Sequence, residues 1–466
     1  MTSTQLPAPG NATTPPGPRI ASPAFALGAA LLGFFVITLD ALIVSVALPT
    51  IGTDLGGGMT GLQWVVDGYT LVLAALLLSA GSISDRIGAR QAFGAGLVVF
   101  LIASAACGFA PALPTLVAAR LVQGAGAAIM MPATLALIRE AYPDAGQRTR
   151  AIGFWALGGS VGSAAGPLLG GALSAVDWRW IFFINLPVGI VALLLLARTA
   201  RSPKRPVPFD WTGQISAVLA MGGLTYALIE GGEYGFSTGP VIVAFFVAMV
   251  AFAVFLLAQT RGRHPMLPLS FFRSRPVSVT LMAGFALNVG FYGLTFLLSL
   301  YFQQLRGLSA LATGIAFLPM TVLTGVMALQ SARLVKRFGA RGVMITGMWI
   351  MAAGLLILFF LPGTAPIWLV AVLMMPVSLG GALAVPAMTG LLLQSVEPAQ
   401  AGLASGVINT FRQFGGALAV AVFGALIADP DAFLSGMRIS LAIGAALLVA
   451  AAAAGALALR PTAADR

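Results

Sequence analysis

Asp40 stands in Leu39 to Pro49, LDALIVSVALP, inside an apolar stretch that runs from Ile20 to Leu48. That stretch exceeds the roughly 20 apolar residues that cross a bilayer. A carboxylate so placed is expensive to hold, so it faces a cavity or a partner and points to proton or ion handling. The competing reading is a structural acid hydrogen-bonded to a neighbouring helix. Two further charged groups share the setting: Asp67, in Gln63-Trp64-Val65-Val66-Asp67-Gly68-Tyr69, and Arg120, in Arg120-Leu121-Val122-Gln123-Gly124-Ala125-Gly126. Helical rise puts Asp40, Asp67 and Arg120 roughly 13, 8 and 10 Å inside the same end of their spans. An arginine beside two carboxylates and the low dielectric around them act on proton affinity in opposite senses, so small rearrangements move a proton on or off. The expectation is a proton-coupling set with Asp40 as principal carrier, Asp67 second and Arg120 as charge partner.

These groups need membrane-crossing helices to hold them, and composition supplies the helices. Of 466 residues, 59% are hydrophobic and only 8% charged, which no soluble core of this size requires. The chain reads as an all-α polytopic membrane protein, integral to the bilayer. The net charge of +11 sits in short clusters between apolar runs, not on one basic face, so it argues for topology and against nucleic acid. Cys107 is the one cysteine and leaves no internal disulfide. Residues 1–21 are rich in Pro and Thr, lack a signal-peptide pattern, and read as a disordered tail.

Apolar runs broken by Gly, Pro or charge give fourteen spans, near 22–48, 61–79, 91–109, 113–138, 149–174, 180–197, 213–231, 239–258, 277–301, 308–331, 342–361, 366–394, 401–427 and 437–459. Lys and Arg divide twenty to three between the two sets of loops, with Arg179, Arg306 and Arg438 the minority and Arg120 and Arg412 inside spans. The positive-inside rule then puts both termini in the cytoplasm, as an even count requires.

The chain repeats itself. Asp85-Arg86-Ile87-Gly88-Ala89-Arg90 returns as Lys336-Arg337-Phe338-Gly339-Ala340-Arg341; Gly126 and Pro132 return as Gly380 and Pro386; Gly153, Gly162 and Gly171 return as Gly406, Gly415 and Gly424. Three matches in order at nearly one offset predict duplicated six-helix bundles over 22–198 and 277–459, two inserted helices within 199–276, and a short tail at 460–466. Internal repeats with a site at their interface are the plan of secondary transporters.

The same residues carry a family resemblance that covers about Ser22 to Leu459. Gly81-Ser82-Ile83-Ser84-Asp85-Arg86-Ile87-Gly88-Ala89-Arg90 resembles the loop 2–3 signature of the major facilitator superfamily, with Ser82, Ser84 and Gln91 departing from its strongest form. The Arg120–Gly126 segment resembles the superfamily's span-four motif. Gly153, Gly162, Gly166-Pro167 and Gly170-Gly171 are similar to the span-five motif of antiporters. LDALIVSVALP and the segment around Trp64 and Asp67 look like the fourteen-span drug:proton antiporters, a group that includes exporters of quaternary ammonium compounds and of methylenomycin. The resemblance implies a major facilitator fold, export of amphiphilic small molecules, no cofactor beyond the proton gradient, and a bacterial cell membrane. Asp85, Arg86 and Arg90, expected on the cytoplasmic side, can lock a closed face by pairing with helix ends or acids. That makes Gly81, Asp85, Arg86, Gly88 and Arg90 a candidate gating loop, although part of the cluster is simply positive-inside topology.

Other residues suit a substrate cavity. Phe285, Asn288, Tyr292 and Thr295 fall at helical spacing on one face, as do Asn409, Arg412 and Gln413, and Trp64 joins them from span two. Polar bridges between helices explain these nearly as well. The two acids favour a cationic substrate, while Arg120 and Arg412 leave neutral and anionic ones open. An enzyme is excluded by chemistry: His264 and Cys107 are the only residues of their kinds, and there is no metal-ligand cluster. Lys204 and Lys336 follow no phosphate-loop glycines, so ATP is not the energy source. The serious alternative is a proton-coupled symporter importing a nutrient or organic ion on the same fold.

Overall fold

The computed structural model describes residues 22–204, 208–397 and 400–459; the two tails expected at 1–21 and 460–466 lie outside them. The described residues hold no strand. The helices are α1 (Pro23–Leu55), α2 (Gly58–Ile87), α3 (Ala89–Gly108), α4 (Leu113–Ala141), α5 (Ala145–Ser174), α6 (Trp180–Phe183), α7 (Asn185–Ala197), α8 (Trp211–Tyr234) and α9 (Gly239–Arg261). They continue with α10 (Arg275–Leu300), α11 (Ala310–Ala316), α12 (Leu318–Phe338), α13 (Ala340–Phe359), α14 (Ile367–Leu373), α15 (Met375–Gln394), α16 (Ala401–Leu426) and α17 (Phe433–Ala458). Among the described residues 12 helices are long and apolar enough to cross a membrane, and 13 if the α11–α12 pair, bent by 40°, counts as one span. The 26-residue α16 stands outside that count because Asn409, Arg412 and Gln413 interrupt its apolar run.

Three spans expected as single helices are broken: 180–197 at Ile184, 308–331 at Phe317 and 366–394 at Met374. Each break lies just before a proline, Pro187, Pro319 or Pro376. A proline within a helix lacks a backbone donor and its ring crowds the carbonyl four residues back, so the preceding turn gives way.

The sequence repeat is a structural repeat. Gly88 with φ 94° joins α2 to α3, and Gly339 with φ 75° joins α12 to α13. A left-handed residue lets two long helices reverse with no loop between them, which only glycine does without strain. Two residues on, Arg90 donates to the carbonyls of Leu196 (3.2 Å) and Ala197 (3.4 Å) at the C-terminus of α7. Its counterpart Arg341 donates to the Ala456 carbonyl (2.8 Å) at the C-terminus of α17. In both halves a cation satisfies the orphan carbonyls and the negative dipole end of the last helix. Gly126 abuts the Gly96 backbone between α4 and α3, and Gly380 abuts the Gly347 backbone between α15 and α13.

The glycines of α5 divide between two partners. Gly162, Gly166 and Gly170 face α1, where a Cβ on Gly166 would meet Leu42 Cβ at 2.9 Å. Thr38 closes that seam by donating to the Gly159 carbonyl at 2.9 Å. Gly171 and Pro167 meet α11 of the other half, where a Cβ on Gly314 would stand 2.8 Å from the Pro167 carbonyl. Small residues let helix backbones approach this closely. Gly153 meets no heavy atom within 4 Å and takes no part in either seam.

The halves meet at the end of the bundle away from the termini. Ser299 of α10 donates to the Ser45 carbonyl of α1 at 2.6 Å, and Gln303 donates to the Val46 carbonyl at 2.9 Å. Gln63 of α2 donates to the carbonyls of Val420 (3.0 Å) and Ala421 (2.8 Å) of α16. The inserted α8 packs on α2 at the same end: Trp64 Nε1 donates to Glu230 (3.1 Å) and Thr60 bonds Glu233.

Candidate functional site

Asp40 is fully buried on α1, on the side away from α5. Thr38 and Leu42, its neighbours two residues either way, face α5, and two residues turn a helix by 200°. Its carboxylate meets α4 and α7. One oxygen forms an ion pair with Arg120 Nη1; the other accepts from Gln123 Nε2 and Asn185 Nδ2, both at 2.9 Å. Gln123 lies three residues past Arg120, so both reach from one face of α4.

Arg120 is equally buried. Its Nε donates to the Val65 carbonyl (2.9 Å), its Nη1 also to Gln123 Oε1 (2.8 Å), and its guanidinium lies over the Tyr69 ring, 4.4 Å from the centroid. Tyr69 in turn donates to the Ile37 carbonyl at 3.0 Å, which ties α2 back to α1. Asn185 donates also to Ser104 (3.0 Å) on α3, and Cys107 Sγ contacts Gln123 Oε1 at 3.6 Å. Five helices of one half, α1, α2, α3, α4 and α7, therefore enclose one ion pair away from water.

Asp67 does not share that arginine, contrary to the expectation from depth. Val65 and Tyr69, which meet Arg120, are one turn apart on α2, and Asp67 between them points to the opposite face. That face also carries Gln63, one turn earlier, which bonds α16 of the other half. Asp67 is fully buried there; one oxygen accepts from Thr70 Oγ1 at 3.2 Å and the other has no hydrogen-bond partner among the described residues.

The expected cavity residues separate. Trp64 is turned to the inserted α8, bonded to Glu230 and 6.1 Å from the Tyr226 ring, so it belongs to the α2–α8 contact and not with the α10–α16 set. On α10 and α16 the sequence grouping is a spatial one. Arg412 Nε donates to Asn288 Oδ1 at 3.3 Å and its Nη1 to Asn409 Oδ1 at 3.4 Å. Phe285 lies against Gly415 and 6.5 Å from the Phe414 ring, and Gly416 abuts the Tyr292 ring. Gln413 is buried with an unpartnered Oε1.

In the loop signature, Gly81 is open to its surroundings, Asp85 and Arg86 are exposed without ion pairs among the described residues, and Arg90 caps α7. The helix-end role foreseen for these charges thus falls to Arg90 alone.

Sequence reasoning passed over Asn185 and gave Gln123 no role. Asn185 was visible by the test that found Asp40: it is a lone amide in an apolar run.

The sequence pattern of the Major Facilitator Superfamily matches residues 30–420. The chain belongs to this superfamily. Among its members, the methylenomycin A resistance protein of Streptomyces coelicolor is 36% identical over 98% of this chain and 95% of its own length. The methylenomycin A resistance protein of Bacillus subtilis is 37% identical, covering 90% of this chain and 91% of its own. The tetracenomycin C resistance and export protein of Streptomyces glaucescens is 34% identical over 86% of this chain and 75% of its own. The crystal structure of a D-xylose–proton symporter superposes with a TM-score of 0.69 at 16% identity, covering 95% of this chain and 99% of that one, which speaks to the fold alone. As a superfamily transporter this chain works by moving a solute and not by bond chemistry.

Proposed function

We propose that this protein exports amphiphilic small molecules, antibiotics among them, out of a bacterial cell in exchange for protons. The observation that carries the coupling is the enclosed Asp40–Arg120 ion pair. Direction is supported by the relatives, named for antibiotic resistance and export. The bent α11–α12 pair and α16 each cross the membrane in this reading, making fourteen spans with both termini in the cytoplasm. The contacts of Ser299, Gln303 and Gln63 then close the outer face.

The coupling has a physical route. Protonating Asp40 cancels its charge and releases Arg120, which keeps Val65, Gln123 and the Tyr69 face. Asp40 shares α1 with Ser45 and Val46, the acceptors of the outer closure, and α1 is locked by glycine contacts to α5, which meets α11. A change in how α1 sits against α4 thereby reaches both inter-half contacts. Asp67, on the α2 face that meets α16, is a second place where a proton bears on the same interface. Each proton entering down 100 mV contributes about 2.3 kcal/mol.

The test is reconstitution in proteoliposomes with an interior pH dye, comparing wild type with Asp40→Asn. Substrate-driven proton flux opposite to substrate, lost in the variant, is the expected result. Flux in the same direction as substrate would make this a symporter and sink the export reading.

A further inference from the structure

Arg412 is a cation inside a membrane-buried helix with no anion beside it. The ion pairs among the described residues are Arg120 with Asp40 and Arg179 with Asp54 and Asp177. Arg412 has two neutral amide oxygens instead, Asn288 Oδ1 and Asn409 Oδ1, at the long distances of 3.3 and 3.4 Å. A guanidinium presents five N–H donors, so most of its capacity is unspent. Asn288 turns its oxygen to Arg412 and leaves Nδ2 without a partner, although the residue is only 3% exposed. An unpaired buried donor beside an unpaired cation is a costly arrangement for a protein to keep without use.

The position of this pair is set by α10. Asn288, Tyr292, Thr295 and Ser299 follow one another at helical spacing on one face. Ser299 is bonded to Ser45 of the N-terminal half, and Tyr292 packs against that half's hydrophobic cluster around Tyr69. Asn288 therefore faces the same inter-half boundary, one turn beyond Tyr292 on the side of the termini, and Arg412 and Asn409 beside it are partly exposed. The other charges inside the spans do not offset Arg412: Asp40 and Arg120 neutralise each other, and Asp67 is fully enclosed. Phe285 and Tyr292, one turn either side of Asn288 on α10, are partly exposed and supply apolar surface there.

We infer that the place beside Arg412 and Asn288 Nδ2 receives the oxyanion head of an amphiphilic substrate, a carboxylate or sulfonate, with its apolar body against the neighbouring aromatic side chains. The guanidinium forms charge-assisted hydrogen bonds to two oxygens and the free amide hydrogen completes them. This rests on the transport reading above and reverses the cation preference that counting two acids suggests.

The test uses arylalkyl amphiphiles on one scaffold, 4-phenylbutanesulfonate, 4-phenylbutanol and 4-phenylbutyltrimethylammonium, given to the full-length protein in proteoliposomes while interior pH is followed. The sulfonate stays ionised, so it cannot carry protons across the lipid by itself. The expected order is sulfonate first, with a half-saturating concentration about 10- to 100-fold below that of the alcohol, as a charge-assisted bond implies, and the ammonium last. Arg412→Gln should remove the sulfonate's advantage and leave the response to the alcohol, and Arg412→Lys should retain part of it. An ammonium preference in wild type overturns the inference and leaves proton-coupled export standing; so does a sulfonate preference unchanged in Arg412→Gln. Proton flux with none of the three overturns both. The wild-type order is informative even if a variant fails to fold.

Discussion

Ser299 Oγ donates to the Ser45 carbonyl at 2.6 Å, and Ser45 lies five residues along α1 from Asp40. One helix therefore carries both the buried acid and a contact between the two halves. At 1.5 Å of rise per residue the two are about 8 Å apart along the axis. A rigid helix over that distance transmits a tilt without a relay of side chains, and this gives the coupling proposed above a short mechanical path.

That contact must break for its own end of the transporter to open. Ser45→Cys with Ser299→Cys, on a Cys107→Ser background, should join under an oxidant or a short bifunctional reagent and stop transport, with a reductant restoring it after oxidation. Gel mobility and proteoliposome flux report the two effects. Undiminished flux in fully cross-linked protein would show that this end need not open.

Breaking the Asp40–Arg120 pair should also be felt in stability. Removing one partner of a buried ion pair typically costs about 3–5 kcal/mol, because the other charge is left uncompensated. Asp40→Asn should therefore lower thermal stability in detergent, and so should Arg120→Leu. The double variant should be less destabilised than the sum of the two. Additive losses would mean that the two side chains act independently.

The glycines of α5 supply an internal control. Gly166→Val should force α1 and α5 apart, reducing both thermal stability and flux, since even a Cβ there would meet Leu42 Cβ at 2.9 Å. Gly153→Ala, from the same motif, should be close to neutral, because no heavy atom lies within 4 Å. Comparable losses in the two variants would argue that the motif acts through backbone flexibility and not through close packing.

The duplicated arginines should behave alike. Arg90→Ala should raise hydrogen exchange at the C-terminus of α7, and Arg341→Ala at that of α17, while each leaves the other half unchanged. Asp85→Asn should leave exchange at both helix ends as in wild type. Exchange that rises in both halves for either substitution would contradict separate caps.

Much of this transporter is legible in one dimension. A run of apolar residues determines that a segment crosses the bilayer, an acid in its middle marks a cost that needs a purpose, and the glycine and arginine of the repeated motif foretell two equivalent helix junctions. Gly88 and Gly339, and Arg90 and Arg341, act in pairs as their spacing implied. The sequence also brought Asn288, Asn409 and Arg412 under suspicion together, since each interrupts an apolar helical face.

Direction around the helix axis was decided only by tertiary packing. Depth alone brought Asp67 next to Arg120, yet the 200° between Asp67 and either Val65 or Tyr69 sends it to the other side of α2. Trp64 turned to Glu230 of an inserted helix whose place beside α2 no local pattern records, and Asn185 joined Asp40 from a residue 145 positions away. Hydropathy and periodicity are properties of one segment in its solvent. Which two faces meet depends on how all the helices fill the bundle, and it is that arrangement which pairs Arg120 with Asp40 and leaves Arg412 without an anion among the described residues.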